Sequence, residues 1–193
     1  MDGLHPYRKG SNPTRRRFLH LIFCSALTLS LTSAALHAQP AEGWRAATSD
    51  ELKSVIPARA PVISERIETE FRTASGITDG TGHFIAGVVM ITAGYSAEGK
   101  YSHYFLVQAP MRAGSVDLPP GEYVFGWTRS QDALKVSFYQ AATGKEVGQV
   151  DAVRNPAITR VESFRIWPPR GTAGEPHSVI QIGRFSFPYS LTR

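Results

Sequence analysis

Cysteine is nearly absent: Cys24 is the only one in 193 residues. One thiol cannot close a disulfide within the chain, and no Cys-based zinc, redox or haem motif can be built. Long apolar runs are missing too. The most apolar stretch, Phe18 to about Leu31, is diluted by Ser25, Thr28 and Ser30 and is short for a membrane span. Histidine ligand spacing such as His-x-His or His-x-x-x-His does not occur, nor does a Gly-x-Ser-x-Gly elbow or a Gly-rich phosphate loop. There is no internal repeat and no low-complexity linker, so a single folded domain is expected. Basic clusters outside the first 38 residues are lacking as well. Of the formal charge of +5, Arg8, Lys9, Arg15, Arg16 and Arg17 against Asp2 supply +4, which leaves the remainder nearly neutral at +1. Nucleic-acid binding, which needs clustered phosphate-neutralising charge, is excluded on that ground.

The N-terminal segment is where the distinctive residues lie. Thr14-Arg15-Arg16-Arg17-Phe18-Leu19-His20 resembles the twin-arginine export signal, Ser/Thr-Arg-Arg-x-Phe-Leu-Lys, with His20 in place of the lysine. A positive start, a short apolar core and small residues before Ala38 complete the pattern of a signal peptide. Cleavage is expected after Ala38, with Ala35 as the alternative, and an ordinary secretory signal containing adjacent arginines is the competing reading of the route. The resemblance implies a periplasmic or secreted protein with no stable membrane anchor after cleavage. The only cysteine would leave with the leader. About 155 residues would remain, enough for a core without covalent staples.

Residues 39–60 read as a polar lead-in with one short helix. Ser49-Asp50-Glu51-Leu52-Lys53 supplies an N-cap and early acidic residues, and Pro57 ends it. From 61 to 193 the signals are strands and turns. Glu65 to Thr73 alternates, with Ile67, Thr69, Phe71 and Thr73 on one face and Arg66, Glu68, Glu70 and Arg72 on the other. His83 to Tyr95 is apolar enough to be central, with Gly87 as a candidate bulge. Further strands are expected at Tyr101–Ala109, near Val116, at Tyr123–Arg129, Ala133–Gln140, Lys145–Val153, Ile158–Trp167 and His177–Phe187. About nine short strands without intervening helices indicate an all-β fold, a single antiparallel sandwich or barrel.

Leu118-Pro119-Pro120-Gly121-Glu122-Tyr123 is similar to the Leu-Pro-x-Gly-x-Tyr turn of small exported bacterial β-sandwich modules of the transthyretin-like, carboxypeptidase-regulatory type. The resemblance implies a fold and no catalytic residues. Physically, the two prolines rigidify the entry, Gly121 is expected to supply a turn conformation with positive φ, and Tyr123 starts a strand whose ring covers the end of the sandwich. The mature chain is longer than such a module, and its Glu51–Gly76 segment has no counterpart there.

Candidate chemistry is sparse. A metal site would need His83, His103 and His177 to converge with carboxylates such as Asp79 or Glu175; unrelated positions are the simpler account. Glu68 and Glu70 share a strand face as a glycosidase pair would, but Arg66 and Arg72 flank them, and positive neighbours lower a carboxylate pKa when the general acid needs a raised one. Ser102 and His103 are adjacent on a strand and should point to opposite faces, which argues against a nucleophile–base pair. Among the aromatic residues Trp44, Tyr95, Tyr101, Tyr104, Tyr123, Trp127, Tyr139 and Trp167, Tyr139 and Trp167 are the ones expected to be exposed as a ligand surface. The reading that results is a non-enzymatic binding or structural accessory module of the cell envelope, without cofactor or metal, with an envelope partner or ligand. A periplasmic hydrolase with a cross-strand His/carboxylate site is the alternative.

Overall fold

The structure, a computed structural model, describes residues 43–97 and 99–191. Arg15, Arg16, Phe18, Leu19 and Ala38 lie outside the described residues. The described chain forms 13 strands and one helix, with every strand pair antiparallel.

The helix α1 (Ser49–Val55) is preceded by Thr48 as N-cap, one residue earlier than expected from sequence. Thr48 and Glu51 make a reciprocal capping box, in which the Glu51 amide donates to Thr48 Oγ1 and the Thr48 amide to Glu51 Oε2. On either side of α1, β1 (Arg45–Ala46) and β2 (Arg59–Val62) both pair with the long strand β3 (Glu65–Thr78). The expected alternation on β3 holds only to Glu70. There the register shifts, so that Glu70 faces Val89 but Ser75 already faces Gly87. The bulge therefore falls on β3, and not at Gly87 of β4 (Phe84–Met90) as anticipated. Gly87 serves close packing instead, because a Cβ there would come within 2.7 Å of the Phe164 ring.

The sheet continues through β5 (His103–Val107), β8 (Gly121–Ser130), β9 (Ala133–Gln140), β10 (Glu146–Arg154), β13 (Phe185–Leu191), β12 (Val179–Gly183) and β11 (Glu162–Trp167). Two short strands, β6 (Met111–Ala113) and β7 (Val116–Leu118), form a hairpin on β13. The sheet curls until β11 packs beside β3, where the Ile166 amide donates to Ser75 Oγ at 2.9 Å. It is a nearly closed antiparallel sheet. The 13 strands replace the nine expected, chiefly because β1, β2 and β6 are too short to show a period. In addition, Gly183, at φ 62°, folds the single strand expected at 177–187 back on itself.

Closure gives the sheet two apolar faces. Inside lie Ile85, Phe105, Phe125, Val136, Phe138, Ile180 and Phe187, all fully buried. Outside, Ala86, Val88, Tyr104 and Val124 form a second cluster with residues of α1 and β2 and with Ala97 and Tyr101. This explains why β5 is buried at all five positions and why β4 reads as continuously apolar.

Candidate functional site

On β8 the odd-numbered residues face inward. Tyr123 and Phe125 are buried in the core, but the same stripe continues as Trp127 and Arg129, which are exposed. Period-two alternation thus carries an indole and a guanidinium past the end of the filled interior. The neighbouring strands end in the same way. Register places Arg129 opposite Leu134 on β9, Leu134 opposite Ala152 on β10, and Arg154 opposite Phe185 on β13. Phe185 in turn faces Ile182, the residue before the Gly183 turn. On the other side, Val89 faces His103 and His103 faces Phe125.

Together these strand ends wall an open cavity of about 620 Å³, lined by Val89, His103, Trp127, Leu134, Ile182 and Phe185 among others. Pockets of a few hundred to a thousand Å³ suit small organic ligands. Arg129, Arg154 and Arg184 stand at its rim and have no ion pair with a carboxylate among the described residues. Arg129 rests over the Phe185 ring at 5.8 Å. Glu162, the one carboxylate in the lining, is already engaged by Arg165 at 2.9 Å and Arg160 at 3.6 Å.

His103 is the deepest polar group of this cavity, at 3 % exposure. Its ring stacks on Phe125 at 4.5 Å and tilts against Phe164 at 5.3 Å. Contrary to the opposite-face expectation, Ser102 Oγ lies 2.8 Å from His103 Nδ1. Ser102 precedes the first residue of β5 and is not bound by strand alternation. The contact is nonetheless a poor nucleophile–base pair. Ser102 Oγ also donates to the Phe125 carbonyl, and among the described residues no carboxylate hydrogen-bonds the His103 ring to orient it. Burial pushes the imidazole down to about 3, the Ser163 backbone opposing this only in part. A base that weak does not take a proton from a serine near neutral pH.

Acid sensitivity follows from the same burial. His103 is neutral in the fold but protonates below its ordinary 6.5 once unfolded. Between those limits the unfolded chain binds more protons, so stability falls as pH drops below 6.5, by up to about 1.4 kcal/mol per pH unit. Thermal unfolding at pH 7.5 and 5 is expected to show that loss, and His103→Phe to remove most of it. An unchanged pH dependence in His103→Phe would contradict the burial of a neutral imidazole.

The other anticipated constellations do not assemble. His83 Nδ1 lies 2.7 Å from Asp79 on an exposed turn, His177 is beside Gly171, and no three metal-binding side chains come together among the described residues. Glu70 is held by Arg72 at 3.0 Å, and that hydrogen bond lowers its pKa, the wrong direction for a general acid. Trp167, expected at the surface, is buried, with Nε1 donating to Gln181 Oε1 at 2.8 Å and Arg165 covering its face at 4.1 Å. Tyr139 is half-buried against Tyr101, edge to face at 5.0 Å, under the Lys100 ammonium. The exposed tryptophan is Trp127. A second cavity, about 480 Å³, follows the seam between β3 and β11, but its charged groups Arg72, Arg160, Glu162 and Arg165 are all paired. No family model matches the chain, and no curated protein or solved structure is significantly similar to it.

Proposed function

We propose that the chain is an exported, non-catalytic binding module whose ligand enters the open end of the sheet at Trp127. One observation carries this reading. The inward stripe of β8 is not closed off by a plug of core residues but continues into an open, largely apolar cavity whose rim guanidinium groups have no carboxylate partner among the described residues. Interior-facing positions that stop being filled are how small barrels make room for a guest. The Ser102–His103 contact supports the hydrolase alternative geometrically. The suppressed basicity of His103 and the absence of an orienting carboxylate weigh against it.

A neutral polarity-sensitive dye such as Nile red tests the site. It is expected to bind the purified protein with enhanced emission. Trp127→Ala removes an exposed wall, and Val89→Trp fills the cavity, so both should weaken binding with little loss of stability. Dye binding unchanged in both variants would move the site elsewhere.

Export rests on the leader. Replacing Arg15 and Arg16 together by lysine is expected to stop it, since the ammonium does not reproduce the planar donor fork and Arg17 is left without an arginine neighbour. Undiminished export of the double variant would assign the protein to the general secretory route.

A further inference from the structure

We infer that the guest of this cavity is a single-chain anionic amphiphile, its tail among Val89, Leu134, Ile182 and Phe185 and its head group between Arg129, Arg154 and Arg184. The inference deepens the binding-module reading and rests on it. Three like charges converge on one rim, and none has a carboxylate partner among the described residues. Where an acidic side chain is available nearby, at Glu162, it is committed to Arg160 and Arg165 on the side of the seam. The rim therefore presents uncompensated positive charge over an apolar wall, and low-dielectric walls focus such a field into the opening.

Guanidinium groups match carboxylate and phosphate oxygens in a planar, bidentate manner. They fix the end of the ligand that stays wet. Arg129, stacked over Phe185, is held where head group and tail would meet. The depth of the cavity offers no second charge. His103 is kept neutral there, so an anion is favoured at the rim and an apolar group inside. The volume of about 620 Å³ accommodates one alkyl chain or a fused aromatic system; a two-chain phospholipid would leave most of its tails outside.

Displacement of bound Nile red by dodecanoate and by dodecanol separates the head group from the tail. The acid is expected to displace the dye at about tenfold lower concentration at low salt, an advantage that shrinks at about 0.5 M NaCl as exposed charges are screened. In the Arg129→Gln, Arg154→Gln, Arg184→Gln triple variant the acid should lose that advantage while dodecanol is unaffected. Equal displacement by acid and alcohol would overturn the anionic assignment and leave the binding pocket standing. Failure of dye, acid and alcohol alike to bind would overturn both. Cosedimentation with anionic phospholipid vesicles, without displacement by monomeric dodecanoate, would also overturn it, because the rim would then be reading a membrane surface.

Discussion

Gly126→Ala is expected to destabilise the domain by about 3 kcal/mol, and more if the strand cannot yield. Gly126 lies on the outer face of β8, beneath the backbone of Lys100 and Tyr101. A Cβ there would run into the Lys100 carbonyl oxygen and sit 2.9 Å from its carbon. That carbonyl has little freedom to retreat. The Lys100 and Tyr101 amides both bond the Ala97 carbonyl at 3.1 Å, and the Ser102 amide bonds the Phe125 carbonyl at 2.9 Å, pinning the segment on both sides. Moving it would lift the buried Tyr101 ring off Tyr139 and shift Ser102, which leads into His103. Denaturant unfolding should show a much lower midpoint. A midpoint equal to the parent's would mean that the segment does not lie against β8.

Tyr123→Ala should cost about 3–5 kcal/mol, the usual range for removing a large buried aromatic side chain. Its ring is 4 % exposed within the inner core, and its hydroxyl donates to the Pro119 carbonyl at 2.7 Å. Tyr123→Phe keeps the ring and loses the hydrogen bond, for about 1 kcal/mol. Gly121 is different. It was expected to need a left-handed backbone, but its φ is not positive, and an added Cβ would meet the Tyr123 ring at an ordinary 3.5 Å. Gly121→Ala should therefore unfold close to the parent. The ordering Tyr123→Ala far below Tyr123→Phe, with Gly121→Ala near the parent, identifies the Leu118–Tyr123 corner as held by the tyrosine. Three coincident melting curves would sink that account.

The strands were legible where one face is buried and the other wet. The alternation on β9, Leu134, Val136 and Phe138 inward with Lys135 outward, places that strand to the residue. Legibility failed where a strand owes its existence to its neighbour. Arg45–Ala46 carries no period of its own and is a strand because Ile77 and Thr78 offer it an edge. The 177–187 segment reads as one strand because apolar residues lie on both sides of Gly183; the alternation changes phase there, from Ile180 and Ile182 to Phe185 and Phe187, where the positive φ of Gly183 makes the hairpin.

The site was harder to see. Its walls are strand ends that curvature brings together, and a linear reading treats strand ends as turns. Trp167 directly precedes Pro168 and Pro169 in sequence, yet it lies inside because Gln181 satisfies its indole. The signal that was present is the inward register of β8 and β10. Tyr123, Phe125, Trp127 and Arg129, with Ala152 and Arg154, show an apolar stripe turning into indole and guanidinium on the same face.

The indole N–H resonances of the ¹⁵N-labelled protein test the central claim most directly. The described residues hold three tryptophans: Trp127 at the mouth, Trp167 hydrogen-bonded to Gln181, and Trp44 packed half-buried on the inner core away from the cavity lining. Titration with dodecanoate is expected to shift the Trp127 indole to saturation, while those of Trp44 and Trp167 stay in place. Movement of Trp44 or Trp167 with Trp127 unmoved, or no movement of any, would contradict a ligand in the mouth of the sheet.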